Sequence, residues 1–156
     1  MVNIVLYSPE IPQNTGNISR TCAVTGARLH IIKPICFEIS DRTLKRAGLD
    51  YWDKLEVFYY ESEDDFFEKN PESEIWYFSA RGERSFADVE YSGCVWLMFG
   101  PESVGLPSDM IERNKERTLR IPMRKTLRCL NLSNSVAVAV YEVLRRDGYE
   151  GLSETR

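Results

Sequence analysis

Residues 2–26 read VNIVLYSPEIPQNTGNISRTCAVTG, and the way this stretch divides decides the fold class. Val2–Tyr7 is a mostly apolar run that stops at Ser8-Pro9, as a strand buried on both faces does. Pro9 and Pro12 enforce an extended connection. From about Thr15 to Thr25 the spacing predicts a helix: Ile18, Cys22 and Thr25 share one face, and Gly26 suits the position just past a helix end.

The same alternation continues outward. Leu29–Ile32 reads as a second strand closed by Pro34. Ser40-Asp41 caps a short basic helix reaching about Ala47, and Val57–Tyr60 is a third strand. Ser62–Asp65 has the form of a capping box with Asp in place of Glu, opening an acidic helix that ends before Pro71. Ile75–Ser79 and Cys94–Phe99 are apolar and aromatic strands. Leu106-Pro107-Ser108 opens a short helix, and Leu119–Ile121 is a last short strand.

Ser133 to Arg146 carries two patterns. Val136, Val138 and Val140 alternate with Ala, as in a strand. Fourteen residues without a breaker, Ser133 as a cap and Asp147-Gly148 as a stop argue for a helix. On that helix Val136, Val140, Val143 and Leu144 form a core stripe. Asn134, Val138, Tyr141 and Arg145 form a second stripe, suited to a partner subunit, an active site or plain solvent. Strands alternating with helices predict an α/β domain with a mainly parallel sheet and helices on both faces. Without a linker or repeat, one domain is expected over residues 1–156.

Composition narrows the function classes. With 43% hydrophobic and 28% charged residues, the chain is not a disordered or collagen-like polymer. No apolar run approaches the roughly 20 residues that span a bilayer. No basic-then-apolar leader precedes Val2–Tyr7, so a cytoplasmic protein is expected. Cys22, Cys36, Cys94 and Cys129 include no CxxC pair, and His30 is the single histidine. Reduced thiols and no metal site are therefore expected. The net charge of −4 hides a segregation. Glu56 to Glu74 holds eight acidic residues and one Lys, whereas Glu112 to Arg128 holds seven basic and two acidic ones. Phosphate binding responds to such local potential, so the charge permits an RNA partner without requiring one.

Three segments carry more than structure. In residues 9–20, PEIPQNTGNISR, a strand-to-helix junction offers free N–H groups to an anion or a ribose. Arg20 lies about 200° around the helix from Ile18, away from the core stripe. The segment is equally a capped helix with a solvated Arg. In residues 97–107, LMFGPESVGLP, Gly100 and Gly105 permit positive φ or close approach of a ligand, but the pattern is neither GxGxxG nor GxxxxGK[ST]. In residues 121–135, IPMRKTLRCLNLSNS, a basic loop runs into an Asn/Ser-rich helix start that can cap the helix or bind a polar ligand.

Together and in this order, PEIPQNTGNISRTCAVTG, LMFGPESVGLP, and RIPM with CLNLSNSVAVAVYE resemble the SPOUT superfamily of methyltransferases. Within it, they look like the TrmL family of tRNA (cytidine/uridine(34)-2′-O)-methyltransferases. RLHIIKP and RAGLDYW match as well, so the resemblance covers essentially the whole chain. It implies a C-terminal part threaded into a deep trefoil knot, and an obligate homodimer with active sites at the subunit interface. S-adenosyl-L-methionine is implied as cofactor, held largely by backbone groups and released as S-adenosyl-L-homocysteine. The matching positions are Phe78, Gly100, Ile121 and Cys129, with Glu102, Gly105, Leu130 and Asn131 in the neighbouring loops. Cys129 stands where Ser is common in this branch.

The resemblance further implies methylation of the wobble nucleotide of tRNA, cytidine or modified uridine. Arg20 falls at the 2′-hydroxyl, with Tyr141, Asn14 and Ser133 orienting the ribose and the Arg. Arg42, Lys45, Arg46, Arg124, Lys125 and Arg128 are expected to grip the anticodon stem-loop. Rival readings are the same chemistry at another tRNA or rRNA nucleotide, a non-catalytic RNA-binding module, and a flavodoxin-like small-molecule binder. The last is disfavoured because Pro and Asn, not a phosphate-cradling Gly/Ser/Thr run, follow the first strand.

Overall fold

The apolar runs pair as parallel strands. The computed structural model describes residues 1–37, 55–125 and 129–153. Among them β1 (Val2–Tyr7), β2 (Arg28–Ile32), β3 (Val57–Tyr60), β4 (Ile75–Phe78), β5 (Arg84–Ser85), β6 (Val95–Phe99) and β7 (Thr118–Arg120) form one sheet in the order β3-β2-β1-β6-β4-β7-β5. All pairings are parallel, with Ile4 opposite Leu29 on one side and Leu97 on the other.

Period-two alternation sends successive side chains to opposite faces. On one face Ile4, Leu6, Leu29, Ile31, Leu97 and Leu119 pack with Ile18 and Cys22 of α1 (Pro12–Thr25). Val136, Val140 and Val143 of α4 (Leu132–Arg146) complete that layer. On the other face Val5, Ile32, Tyr77 and Met98 meet Phe66 of α2 (Glu63–Lys69) and Met110 of α3 (Ser108–Arg113). Helices therefore cover both faces, and α1 packs beside α4.

Several boundaries differ from the sequence expectation, each for a local reason. Helix α1 begins at Pro12, one turn before Thr15, because a proline ring sets the φ of a first helical residue and leaves no N–H unsatisfied there. The cap of α4 is Asn131, not Ser133: its Oδ1 accepts from the backbone N–H of Ser133 at 2.9 Å and of Asn134 at 3.4 Å. Strand β4 stops at Phe78, and β7 starts one residue early, at Thr118. Two-residue β5 is unannounced in the sequence and is held by pairing with β7. Ser62 caps α2 as expected, accepting from Asp65 N–H at 3.1 Å, while Asp65 returns the bond to the N–H of Glu61 at 2.9 Å. The short basic helix expected near Ser40–Ala47 lies outside the described residues. All four cysteines are unpaired, and no helix among the described residues is long and apolar enough to cross a membrane.

His30 is built into the sheet, not into a site. It is 3% exposed and lies between the rings of Phe58 and Trp96, each 4.7 Å away. Its Nε2 meets Asn3 Oδ1 at 3.2 Å, so that nitrogen carries the proton and Nδ1 accepts from the Tyr60 hydroxyl at 2.9 Å. Burial, aided by Arg28, lowers its pKa from 6.5 to about 4. As pH falls below 6.5 the unfolded chain binds the proton first, so stability is lost down to about pH 4 and no further. Glu142, held at about 2 chiefly by its hydrogen bond from Arg145, adds a loss of the same sign that sets in near its ordinary 4.5, so the fall between pH 7 and pH 5 is the part that belongs to His30. We expect chemical denaturation to report a loss on the order of 2 kcal/mol between pH 7 and pH 5. In His30→Gln that slope should disappear; its survival would assign the loss to other groups.

Candidate active site

The carboxyl ends of the central strands converge on one cavity of about 810 Å³. Such an edge is where open α/β sheets bind ligands. Its lining comes from the segment after β4, the loop after β6, the segment after β7 and the first turns of α1 and α4. The three sequence segments singled out above thus meet at one place, although up to 117 residues separate their contacting side chains.

The loop after β6 forms one wall of the cavity. A Cβ added at Gly100 would sit 2.2 Å from Leu106 N and 2.3 Å from Gly105 C, so the chain closes on itself too tightly for any side chain. Gly105 takes a φ of +71° and donates its N–H to Pro101 O at 2.9 Å, which completes the turn. Beneath it Phe78 stacks on Phe99 with ring centroids 4.7 Å apart. Gly100, Gly105, Phe78, Ile121, Cys129 and Leu130, the positions for which the resemblance implies cofactor contact, all line the cavity. Glu102, Asn131 and Asn14 line it too.

A continuous polar chain runs through these last three. Asn14 Nδ2 donates to Glu102 Oε1 at 2.9 Å, and Asn131 Nδ2 donates to Asn14 Oδ1 at 3.0 Å. Ser133 Oγ donates to Asn131 Oδ1 at 2.7 Å. Asn14 is 4% and Ser133 7% exposed, so little water competes for these bonds. The chain ties the loop after β6 to the starts of both α1 and α4.

The remaining expected site residues fall elsewhere. Arg20 is exposed, six residues beyond Asn14 and thus about 9 Å further along α1. Tyr141 is 46% exposed on α4 and Val138, one turn before it, is 40% exposed. Neither Arg20 nor Tyr141 lines the cavity. The second stripe of α4 therefore faces outward, and Val24 of the neighbouring α1 is 55% exposed as well. Arg124 and Lys125 are exposed just after Met123, which lines the cavity. Arg42, Lys45, Arg46 and Arg128 lie outside the described residues.

Sequence reasoning missed three residues. Arg81 lines the cavity and grips its rim, donating from Nη1 to Ser108 Oγ at 2.7 Å and from Nη2 to Leu106 O at 2.9 Å. A basic residue just past a buried strand was its available signal. Glu10 and Ser103 bond each other across the two loops, and no local pattern announces a contact between residues 93 positions apart.

The family model described as the SpoU rRNA Methylase family matches residues 1–141. A Listeria innocua protein provisionally named a tRNA (cytidine(34)-2′-O)-methyltransferase is 50% identical over 153 residues, covering 96% of this chain and 90% of its own length. A Burkholderia ambifaria tRNA (cytidine(34)-2′-O)-methyltransferase is 45% identical over 154 residues, covering 97% and 99% of the two chains. A solved structure concerned with the 2-OH methylation of C/U34 on tRNA superposes with a TM-score of 0.89 at 44% identity, covering 96% of this chain and 98% of that one.

Proposed function

The chain belongs to the SpoU rRNA methylase family, and on that premise we propose that it methylates the ribose 2′-hydroxyl of tRNA position 34, a cytidine or modified uridine, using S-adenosyl-L-methionine. The observation that carries this reading is the convergence of all three signature segments on one cavity. Relatives named for position-34 methylation match over almost the whole chain, which favours that nucleotide over another RNA site.

The cavity suits this cofactor. Its walls are apolar side chains and loop backbone, with a glycine pinch that a Cβ would fill at Gly100. Glu102 is the one carboxylate and Arg81 the one cation among the described lining residues, so the walls carry no excess positive charge of the kind a polyphosphate needs. Phe78, Gly100, Ile121, Cys129 and Leu130 would hold it, with Glu102, Gly105 and Asn131 keeping the surrounding loops in place. When bound, S-adenosyl-L-methionine supplies an electrophilic methyl group on a sulfonium. Contact through backbone would make Cys129 an adequate substitute for Ser.

The chain's own residues handle the hydroxyl. A guanidinium is a permanent cation, so Arg20 acts as a donor to the developing alkoxide and the adjacent phosphate instead of as a base. A phosphate oxygen or a water accepts the proton. Asn14, Ser133 and Tyr141 orient the ribose. Because Arg20 and Tyr141 lie outside the cavity of their own protomer, the site needs a second copy of the chain. The exposed Val24, Val138 and Tyr141 on adjacent helices supply an apolar face for a homodimer. A C-terminal trefoil knot is consistent with β7 lying between β4 and β5 and with Gly82 pressed against Leu119, where a Cβ would come within 2.7 Å of backbone. One domain then does all the work, with the dimer surface gripping the anticodon stem-loop through Arg124 and Lys125 and, in the segments outside the described residues, Arg42, Lys45, Arg46 and Arg128.

Methyl transfer from labelled cofactor to unmodified tRNA tests this directly. Reversing Arg124 and Lys125 to Glu should raise KM for tRNA and reduce the log–log salt slope by roughly 1 per lost phosphate contact. An unchanged slope would remove this surface from the account.

A further inference from the structure

The junction between β1 and α1 and the loop after β6 hold each other by an exchange of carboxylates. Glu102, on the loop, accepts from the backbone N–H groups of Glu10 at 2.8 Å and Ile11 at 3.2 Å, besides Asn14 Nδ2. Glu10, on the junction, answers in the other direction. Its Oε2 accepts from the Ser103 N–H at 2.8 Å and its Oε1 from Ser103 Oγ at 2.7 Å. Five donors in all converge on the two carboxylates, so loop and junction are tied together from both sides.

The consequences differ for the two acids. Glu102 lines the cavity, whereas Glu10 does not; its side chain reaches the lining through Ser103. Ser103 is the tip of the 101–105 turn, whose base is already closed by the bond from Gly105 N–H to Pro101 O. With its base closed and its tip held, the turn is fixed to the first residues of α1. That helix carries Asn14 at its start and Arg20 two turns on.

We propose that Glu10 is a positioning residue for cofactor binding: through Ser103 it sets the 101–105 turn over the cavity and makes turn and α1 one rigid body. This rests on the reading of the cavity as the S-adenosyl-L-methionine site. Without Glu10 the turn samples other positions, and the bound geometry is only fractionally populated. The penalty falls on affinity, not on the reactive step, because saturating cofactor selects the competent turn.

Calorimetric titration of the full chain with S-adenosyl-L-methionine tests it, alongside steady-state methylation of tRNA. Glu10→Gln, whose amide accepts on only one arm, should weaken Kd and KM for the cofactor about 10-fold, with kcat within about 2-fold of wild type. Its melting temperature should stay within about 3 °C of wild type, which a general loss of structure would not allow. Ser103→Ala should cost about 3-fold in Kd, and the double variant should be no weaker than Glu10→Gln alone, since the two residues form one contact. Glu10→Asp should recover part of the affinity. Wild-type affinity in Glu10→Gln, a loss confined to kcat, or independent effects in the double variant would overturn the proposal while leaving the cavity assignment intact. Failure of the wild-type chain to bind would overturn both.

Discussion

Arg20→Ala is expected to lose at least about 1,000-fold in turnover while binding S-adenosyl-L-methionine within about 2-fold of wild type. The split follows from position. Arg20 sits on the exposed side of α1, and its own protomer's cavity is lined without it. Its removal should therefore leave the cofactor walls alone and withdraw the charge that stabilises the alkoxide and orients the phosphate. Loss of a single well-placed donor to a developing oxyanion typically costs 10²–10³, and in the proposed role Arg20 would add a full charge. Arg20→Lys should regain part of the rate if charge is what matters, and little if the planar fork is required.

The same variant separates one-chain from two-chain sites. Mixed with a variant whose cavity is filled, such as Leu130→Trp, inactive Arg20→Ala should regain about a quarter of wild-type activity, because half of the dimers then pair one intact cavity with one intact guanidinium. No recovery, with exchange of subunits verified, would confine Arg20 to its own protomer's cavity. Full activity of Arg20→Ala alone would remove it from the mechanism.

Compared with Gly82→Ala, whose new carbon would meet backbone at 2.7 Å, Gly100→Ala should be the more damaging. Its new carbon would overlap Leu106 N, Gly105 C and Gly105 O, at 2.2, 2.3 and 2.8 Å. These are backbone atoms, so no rotamer relieves the clash; the turn that covers the cavity has to move. Overpacking costs about 1–3 kcal/mol where neighbours can adjust, and here they can adjust only by unmaking the turn. A fall in melting temperature of roughly 5–10 °C is expected, with cofactor affinity reduced at least about 100-fold because the displaced atoms line the site. Gly105 provides the contrast. It has open space around its Cβ position and needs only a positive φ, so Gly105→Asn should keep most of the stability. Thermal melts and calorimetric titration of both variants check the pair; wild-type affinity in Gly100→Ala would mean that the cofactor does not use this loop.

How much of this was legible in the sequence depended on whether the information was local. Strands β1 and β6 are buried on both faces, so they appear as mostly apolar runs, and their helices follow as amphipathic stripes. The last helix looked half like a strand. Burial of Val136 and Val140 with Val138 left outside shows that the valines follow the 3.6-residue period, the alternation being an accident of small residues between them. The choice between Asn131 and Ser133 as cap was not legible, because both side chains can accept from a helix start and only the path of the preceding loop decides. Strand β5 was invisible for a different reason: two residues have no periodicity, and its hydrogen bonds come from β7, some 35 positions later.

The site divides in the same way. Gly100, Gly105, Phe78, Ile121, Cys129 and Leu130 followed from motif resemblance, and the cavity gathers them. The exchange between Glu10 and Glu102 and the bond from Asn131 to Asn14 are long-range, so the separate motifs displayed their members without the contacts that join them. Arg20 and Tyr141 were legible as chemistry, but one folded chain leaves them on its surface. That discrepancy is the strongest structural reason to expect a second subunit at the site.

The most direct test of the whole account is to map the methyl group. Unmodified tRNA, prepared from a strain lacking this activity, is incubated with the purified chain and labelled S-adenosyl-L-methionine, then digested with nuclease and analysed by mass spectrometry. One added methyl on the ribose of nucleotide 34, absent with Arg20→Ala, is the predicted result. A methyl on a base, on another nucleotide, or on none would contradict it.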